Sequence, residues 1–255
     1  METLSTVEKA IDVLFHLHAE TTSQGVTSIG RSLGLPKSSA HRLLSALRRR
    51  GLVEKDASGR YRPGIGLVAL GLGALDREPV VAAARPVLQS EADEIGETVF
   101  LVGARAGRLI VLDKAEGSGF LRASPRVGST VPVHATAVGK LFLAFGSGAI
   151  ELADGDLEKF SDETVTDRGR LEREVARVAV QGHASNTDEW IAGLSVVAAP
   201  VRVSLGGAQS PSRMEAAVAF AAATVRMQAL GVQQVARRAV DAAARIGARL
   251  EGGLR

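Results

Sequence analysis

Residues 34–62 read GLPKSSAHRLLSALRRRGLVEKDASGRYR, and the order of elements inside this stretch decides the fold of the N-terminal part. Gly34 is a good helix stop. Pro36 suits the first position of the next helix, where its missing N–H would have gone unsatisfied in any case. Beyond it Ala40, Leu43, Leu44 and Leu47 recur at intervals of three and four, the spacing of a helix with one buried face. At about 100° per residue, Ser38, Arg42, Ser45 and Arg49 fall on the opposite side, with Lys37, Ser39 and His41 beside them. Gly51 closes this helix. Leu52–Lys55 and Arg60–Arg62 then predict two short strands joined by the turn Asp56–Gly59, a wing whose return strand carries Arg60 and Arg62.

Upstream, Val7, Ala10, Ile11, Leu14, Phe15 and Leu17 predict a first helix over Thr6–Ala19 with these residues on its buried face. A polar loop near Gln24 and Gly25 leads to a short second helix, Thr27–Leu33, with Ile29 and Leu33 inward. Short helix, glycine turn, basic third helix and wing follow one another as a winged helix-turn-helix requires. His16 and His18 lie near the end of the first helix, where the dipole tolerates them, and read as structural.

The net charge of +3 hides an uneven distribution. From Arg31 to Arg62 nine basic residues (Arg31, Lys37, Arg42, Arg48, Arg49, Arg50, Lys55, Arg60, Arg62) face two acidic ones (Glu54, Asp56), a local charge of +7 that leaves −4 for the rest. A basic block on a slightly acidic chain fits a phosphate-backbone partner; taken without the helix pattern, it would equally fit a solvated face. The hydroxyls and guanidinium groups of the third helix suit a major groove, where serine can bond bases or phosphates and arginine can grip guanine. Arg60 and Arg62 are placed for the sugar-phosphate backbone. RNA is the poorer partner, because aromatic residues make up only 4% of the chain and supply no stacking platform.

Composition closes off other classes. The chain has no cysteine, which excludes disulfides, thiol catalysis and cysteine-based metal sites. No apolar run reaches the roughly 18 residues of a membrane span, and the opening METLSTVEKAIDVL is charged and amphipathic, so a cytoplasmic location is expected.

The runs Gly34–Leu44, Arg50–Glu54 and Gly59–Arg62 closely resemble the winged helix of IclR-type regulators. Two later stretches carry the same resemblance: Arg122–Gly128 leading to Pro132–Lys140, and Gly182–Leu194. Between the winged helix and these stretches, Ile65–Leu75 is weakly helical, Val80–Glu94 more clearly so, and Pro86 suggests a kink. The period changes at Thr98: Thr98–Val102 and Leu109–Leu112 predict a hairpin around Ala106 and Gly107, and Phe120–Ala123 another strand. Helices are expected at Ala135–Phe145 and Arg168–Val180, the latter capped by Thr166 or Asp167, and strands at His183–Ser185 and Leu194–Leu205. From about Ser212 to Leu250 the Ala-rich chain reads as helical with a break at Gly231.

The expected fold class is therefore α+β: residues 1–76 a winged helix-turn-helix, 77–97 a linker helix that by resemblance helps to pair two chains, and 98–255 a GAF-like α/β effector-binding domain. What the family implies is a regulator that binds double-stranded operator DNA as a homodimer or homotetramer and responds to a small organic effector, a carboxylate among the candidates. The DNA-binding residues expected are Lys37, Ser38, Ser39, His41, Arg42, Ser45, Arg49, Arg60 and Arg62. The resemblance places Phe120, Ala137, Val138, Asn186, Val196 and Ser204 around the effector.

The residues of this second part also bear direct reading. Thr136 stands where a helix begins, so free N–H groups and the positive dipole end suit a carboxylate. A phosphate loop fits poorly, because Leu141 follows Gly139-Lys140 where Ser or Thr is needed. Lys140 reads as solvated or structurally paired rather than as a ligand contact. Asn186, Asp188, Glu189 and Trp190 either ring a pocket or serve turn chemistry. After Pro200 the chain is about one strand short of the family pattern, so that either the sheet loses a member or the Leu194–Leu205 span bends, leaving the pocket open beside Ser204; a tight turn near Arg202 and Val203 is the other reading. The functional alternative is a small-molecule-handling α/β enzyme with an accessory DNA-binding module, using His134, His183, Asp188 and Glu189. Their spacing matches no metal motif and no nucleophile elbow is present, so no catalytic residue, metal or cofactor is expected.

Overall fold

The N-terminal unit lies within Met1–Arg77 and begins with α1 (Thr6–Ala19), set by a reciprocal capping box: Ser5 Oγ accepts from Glu8 N at 3.2 Å, and the Glu8 carboxylate accepts from Ser5 N at 2.5 Å. The computed structural model describes residues 5–75, 77–119, 125–152, 154–204 and 212–253. After α2 (Val26–Ser32), Gly34 turns the chain at φ 63°. Helix α3 (Lys37–Arg49) starts one residue later than expected, because Pro36 is extended and serves as the N-cap. Strands β1 (Val53–Lys55) and β2 (Tyr61–Pro63) pair antiparallel.

Val13, Leu17, Ile29, Leu43, Leu44, Leu47, Val53 and Tyr61 form the core of this unit. The buried face of α1 differs from the sequence reading: Val7, Ile11 and Phe15 are 67%, 44% and 66% exposed. Helix α1 meets α3 and β2 along one edge, so the stripe through Val13 and Leu17 is covered and the adjacent one is not. Helix α4 (Ile65–Leu75) leaves the wing and has no buried residue; Ile65, Val68, Leu70 and Leu72 are exposed.

The second unit, Glu78–Arg255, opens with α5 (Pro79–Ile95), which holds Pro86 inside one continuous helix and ends at left-handed Gly96. Strands β3 (Thr98–Arg105) and β4 (Arg108–Ala115) form the expected hairpin. Ala106 and Gly107 both have positive φ, as a tight primed turn requires. Then come β5 (Thr130–Val131), α6 (Ala137–Phe145), α7 (Arg168–Gln181, capped by Asp167), β6 (Ala184–Thr187), β7 (Leu194–Val203), β8 (Arg213–Ala223), α8 (Thr224–Leu230) and α9 (Val232–Gly253). The six strands make one antiparallel sheet in the order β5-β4-β3-β8-β7-β6. On one face Phe100, Val102, Val196, Ala219 and Ala221 pack with Val138, Leu141 and Phe142 of α6. Residues alternate across a strand, so Val197, Ala199 and Phe220, also buried, face the opposite side, where α5 and α9 cover the sheet.

Two expectations are corrected here. Residues 213–223 are a strand rather than the start of the C-terminal helix, because a central strand covered on both faces needs small apolar side chains rather than alternation. The tight turn offered near Arg202 and Val203 is not formed: β7 runs ten residues, shifts register between Val201 and Arg202, and pairs along its length with β8. The expected strand at Phe120–Ala123 lies outside the described residues.

Candidate functional site

The helix-turn-helix presents one basic surface. Ala40, Leu43, Leu44 and Leu47 are buried, which leaves Lys37, Ser38, His41, Arg42 and Arg49 exposed and Ser39 and Ser45 half-buried on the outer side of α3. Among the described residues, no carboxylate forms an ion pair with Lys37, Arg42, Arg48, Arg49, Arg50 or Arg60. Cations left without counter-charges are ready for phosphate.

The wing adds two arginines of different standing. Arg60 is exposed and unpaired, whereas Arg62 lies opposite Glu54 across the strands and binds its Oε1 at 2.7 Å through Nε and Nη2. The turn between the strands is organised by Asp56, whose Oδ1 accepts from Ser58 Oγ at 2.7 Å, Ser58 N at 2.9 Å and Arg60 N at 3.0 Å. Bonds from the Ser58 and Ser23 side chains, with the two backbone bonds, lower its pKa to about 2.

In the second unit a cavity of about 300 Å³ opens between the sheet, the start of α6 and the turn after β6. Phe100, Val131, Val138, Trp190, Leu194 and Val196 supply most of its wall, and Thr136 and Asn186 are the polar side chains among its described lining. Of the expected effector residues, Val138, Asn186 and Val196 come together here. Ala137 is buried behind the wall and takes part through its backbone, and Phe120 lies outside the described residues. Ser204 does not reach the cavity: it follows the last residue of β7, with its N–H donated to Glu251 of α9 at 2.7 Å. Phe100 and Ala221 were not anticipated from sequence. What would have located them is sheet register, with Phe100 beside Ala219 on β8, and register is invisible until β8 is known to be a strand.

The α6 N-terminus is only partly open. Asn186 Oδ1 accepts from Ala137 N at 2.9 Å and Thr136 Oγ1 accepts from Gly139 N at 3.1 Å while donating to Pro132 O at 2.6 Å. Val138 N, the remaining N–H of the first turn, makes no hydrogen bond among the described residues. Close packing requires Gly139, since a Cβ there would lie 1.8 Å from Val133 O.

Behind this wall sits a buried charge cluster. Lys140, 2% exposed, donates to both Glu189 oxygens at 2.7 and 2.8 Å and pairs with Glu174 Oε2 at 2.7 Å. Burial raises the Glu189 pKa and outweighs the attraction of Lys140. At Glu174 burial also acts upward, but bonds and attraction from Lys140 and Arg170 prevail and lower it. Lys140 is therefore a paired structural lysine. The neighbouring turn divides its labour: Asp188, at φ 59°, accepts from Gly193 N at 2.9 Å and Thr224 Oγ1 at 2.5 Å, and Trp190 faces the cavity. His134, offered above as a catalytic candidate, is tied to Glu158 O at 2.8 Å and stacks on Phe160, while His183 Nδ1 lies 3.2 Å from Gln181 O. Among the described residues no group of His, Asp and Glu is arranged to hold a metal.

A basic winged helix ahead of a sheet domain with an apolar cavity defines a ligand-responsive DNA-binding regulator. The IclR helix-turn-helix domain model matches residues 6–57, and the bacterial transcriptional regulator IclR C-terminal model matches residues 72–248. The chain belongs to the IclR family of transcriptional regulators, which are not enzymes. It is 31% identical over 206 residues to the HTH-type transcriptional regulator XynR of Escherichia coli, covering 79% of this chain and 81% of that protein. A solved IclR regulator from Alicyclobacillus acidocaldarius is 27% identical with a TM-score of 0.80 over 98% of this chain and all (100%) of that one. An IclR homologue from Microbacterium hydrocarbonoxydans, solved with 4-hydroxybenzoate, shares the fold at 23% identity and TM-score 0.80, covering 97% of this chain and 100% of its own. The expected α+β architecture, with an N-terminal DNA-binding domain and a C-terminal effector-binding domain, is thereby established. No helix among the described residues is long and apolar enough to cross a membrane.

Proposed function

We propose that this regulator binds duplex operator DNA through Lys37, Ser38, Ser39, His41, Arg42, Ser45 and Arg49 of α3 in the major groove, with Arg60 and Arg62 of the wing on the backbone. The observation that carries this reading is the row of exposed, unpaired cations on the side of α3 opposite its buried leucines. The working protein is a cytoplasmic homodimer or homotetramer, since one short recognition helix offers too little contact for operator specificity. The exposed apolar residues of α1 (Val7, Ile11, Phe15) and of α4 supply a surface for pairing. Residues 1–76 read DNA, 77–97 link, and 98–255 hold a small organic effector, a carboxylate among the candidates, whose binding biases the arrangement of the paired winged helices. The bound 4-hydroxybenzoate of the Microbacterium homologue accords with such a ligand.

Genomic fragments selected by the protein supply the operator, and fluorescence anisotropy over a salt series then tests the assignment. Arg42→Ala should cost about 1–3 kcal/mol on the operator and little on random duplex. Arg60→Ala should weaken both alike and flatten the salt dependence by about one phosphate's worth. Affinity that is independent of salt, or equal losses on both duplexes from both changes, would overturn the assignment.

A further inference from the structure

We propose that a cleft of the second unit, between the β5–α6 connection and the chain that follows α6, is a further ligand site and that it takes an aliphatic di- or polyamine. The inference goes beyond the effector reading above and does not rest on it. Three observations carry it: a buried histidine with one nitrogen left over, three carboxylates without counter-charges, and the spread of these groups along the wall.

The cleft, of about 610 Å³, lies between residues 130–134 and the segment 151–160, with Trp190 also on its wall. His134 is 7% exposed and stands on this wall. Its Nε2 lies 2.8 Å from Glu158 O. A carbonyl only accepts, so Nε2 carries the proton, and in the neutral ring Nδ1 holds a lone pair. Nδ1 makes no hydrogen bond among the described residues, and it is not sealed from solvent. Polar atoms of buried side chains are normally paired, so the cleft keeps one acceptor for a donor from outside.

Glu151, Asp156 and Glu158 are exposed on the same wall, and among the described residues none makes an ion pair or a side-chain hydrogen bond. Lys159, beside Glu158, is spent on Asp162 at 2.8 Å, and Arg168 donates to Gly155 O at 2.6 and 3.0 Å. No cationic side chain lines the cleft among the described residues. A wall carrying one sign of charge gathers the opposite ion. An ammonium group matches it, because it brings three donors and no acceptor, as His134 Nδ1 and the carboxylates require. The form of the ligand follows from the spacing. No group of three His, Asp or Glu side chains among the described residues is arranged to hold a metal ion, so the charge is distributed along the wall rather than focused on a point. Ammonium groups separated along a chain meet such a wall. Val131, Val133, Leu152 and Leu157 receive the methylenes between them, and Phe160 and Trp190 add aromatic rings that attract cations. An amino acid would bring its own carboxylate into the same field.

Isothermal titration of the full-length protein in about 0.15 M salt, where bare surface attraction is screened beyond about 8 Å, tests the site, and Trp190, the single tryptophan, reports its occupancy by fluorescence. Spermidine and cadaverine are expected to bind saturably, with a change in Trp190 emission and Kd values lower by about 10-fold or more than those of n-butylamine, aminocaproate or Mg²⁺. Changing the three carboxylates together, Glu151→Gln with Asp156→Asn and Glu158→Gln, should weaken spermidine by about 10-fold or more. Glu172→Gln, at an exposed position of α7 outside the cleft, should leave it unchanged. His134→Gln keeps an amide donor for Glu158 O, loses the ring acceptor and should weaken spermidine about three-fold; if that variant proves less stable, the triple change at exposed positions decides alone. Equal or tighter binding of n-butylamine or Mg²⁺ overturns the inference. So does spermidine affinity that survives the triple change, an equal loss from Glu172→Gln, or no saturable binding of either polyamine. Each of these results leaves the DNA and effector assignments standing.

Discussion

Replacing Lys140 with methionine removes one ammonium from the buried cluster at nearly constant volume. Glu174 would keep Arg170, whose Nε lies 3.2 Å from Oε1. Glu189 would keep nothing comparable: it is 8% exposed, and both of its oxygens are bound by Lys140. Breaking a buried pair from one side costs about 3–5 kcal/mol, because the remaining charge is left uncompensated, against a total stability of about 5–15 kcal/mol. With a urea slope of about 2 kcal/mol/M, the midpoint should fall by about 2 M. Trp190, the single tryptophan, adjoins Glu189 and reports the second unit by fluorescence. Burial already raises the Glu189 pKa, and loss of Lys140 should raise it further. The folded state then holds a proton that the unfolded state releases, so stability falls as pH rises through this window and the deficit shrinks from pH 7.5 to pH 5. Lys140→Met combined with Glu189→Gln removes the stranded charge and should return to within about 1.5 kcal/mol of wild type. A loss below about 1 kcal/mol, a deficit that ignores pH, or no recovery in the double variant would refute the reasoning.

Glu54→Gln frees Arg62 from its 2.7 Å partner and should tighten operator and random duplex alike, steepening the plot of log K against log salt by about 0.9; an effect confined to the operator would place Arg62 on a base instead. Fold stability should barely change, because an exposed pair of this kind contributes about 0–1 kcal/mol. Gly139→Ala directs a methyl at Val133 O, 1.8 Å away, and should destabilise the second unit by about 3 kcal/mol or more; a urea midpoint close to wild type would mean that α6 can slide off the Pro132–Val133 segment at little cost.

The winged helix was legible because its determinants are local. The period of Ala40, Leu43, Leu44 and Leu47, the stop at Gly34 and the turn chemistry of Asp56 act within a few residues, and they orient Arg42 and Arg49 outward without reference to the rest of the chain. Even there the exposure of Val7, Ile11 and Phe15 escaped, since which stripe of α1 is covered depends on where α3 and β2 lie. Strand β8 escaped for a related reason. Ala216, Ala217, Ala219 and Ala221–Ala223 favour a helix by intrinsic propensity, and with both faces buried there is no alternation to oppose it; pairing with β3 and β7 prevails because it satisfies every backbone group of a central strand beneath α6 and α9. The cavity's polar end joins Asn186 to Ala137, and the buried cluster joins Lys140 to Glu189, each across 49 residues. The sequence alone therefore determined the winged helix with the outward face of α3, the hairpin of β3 and β4, and the family, all carried by short-range patterns. Only the tertiary structure decided which residues wall the cavity, that Asn186 spends its oxygen on α6 and keeps its nitrogen free, and that Lys140 is a buried counter-charge, because burial and hydrogen-bond partnership are properties of contacts between distant segments.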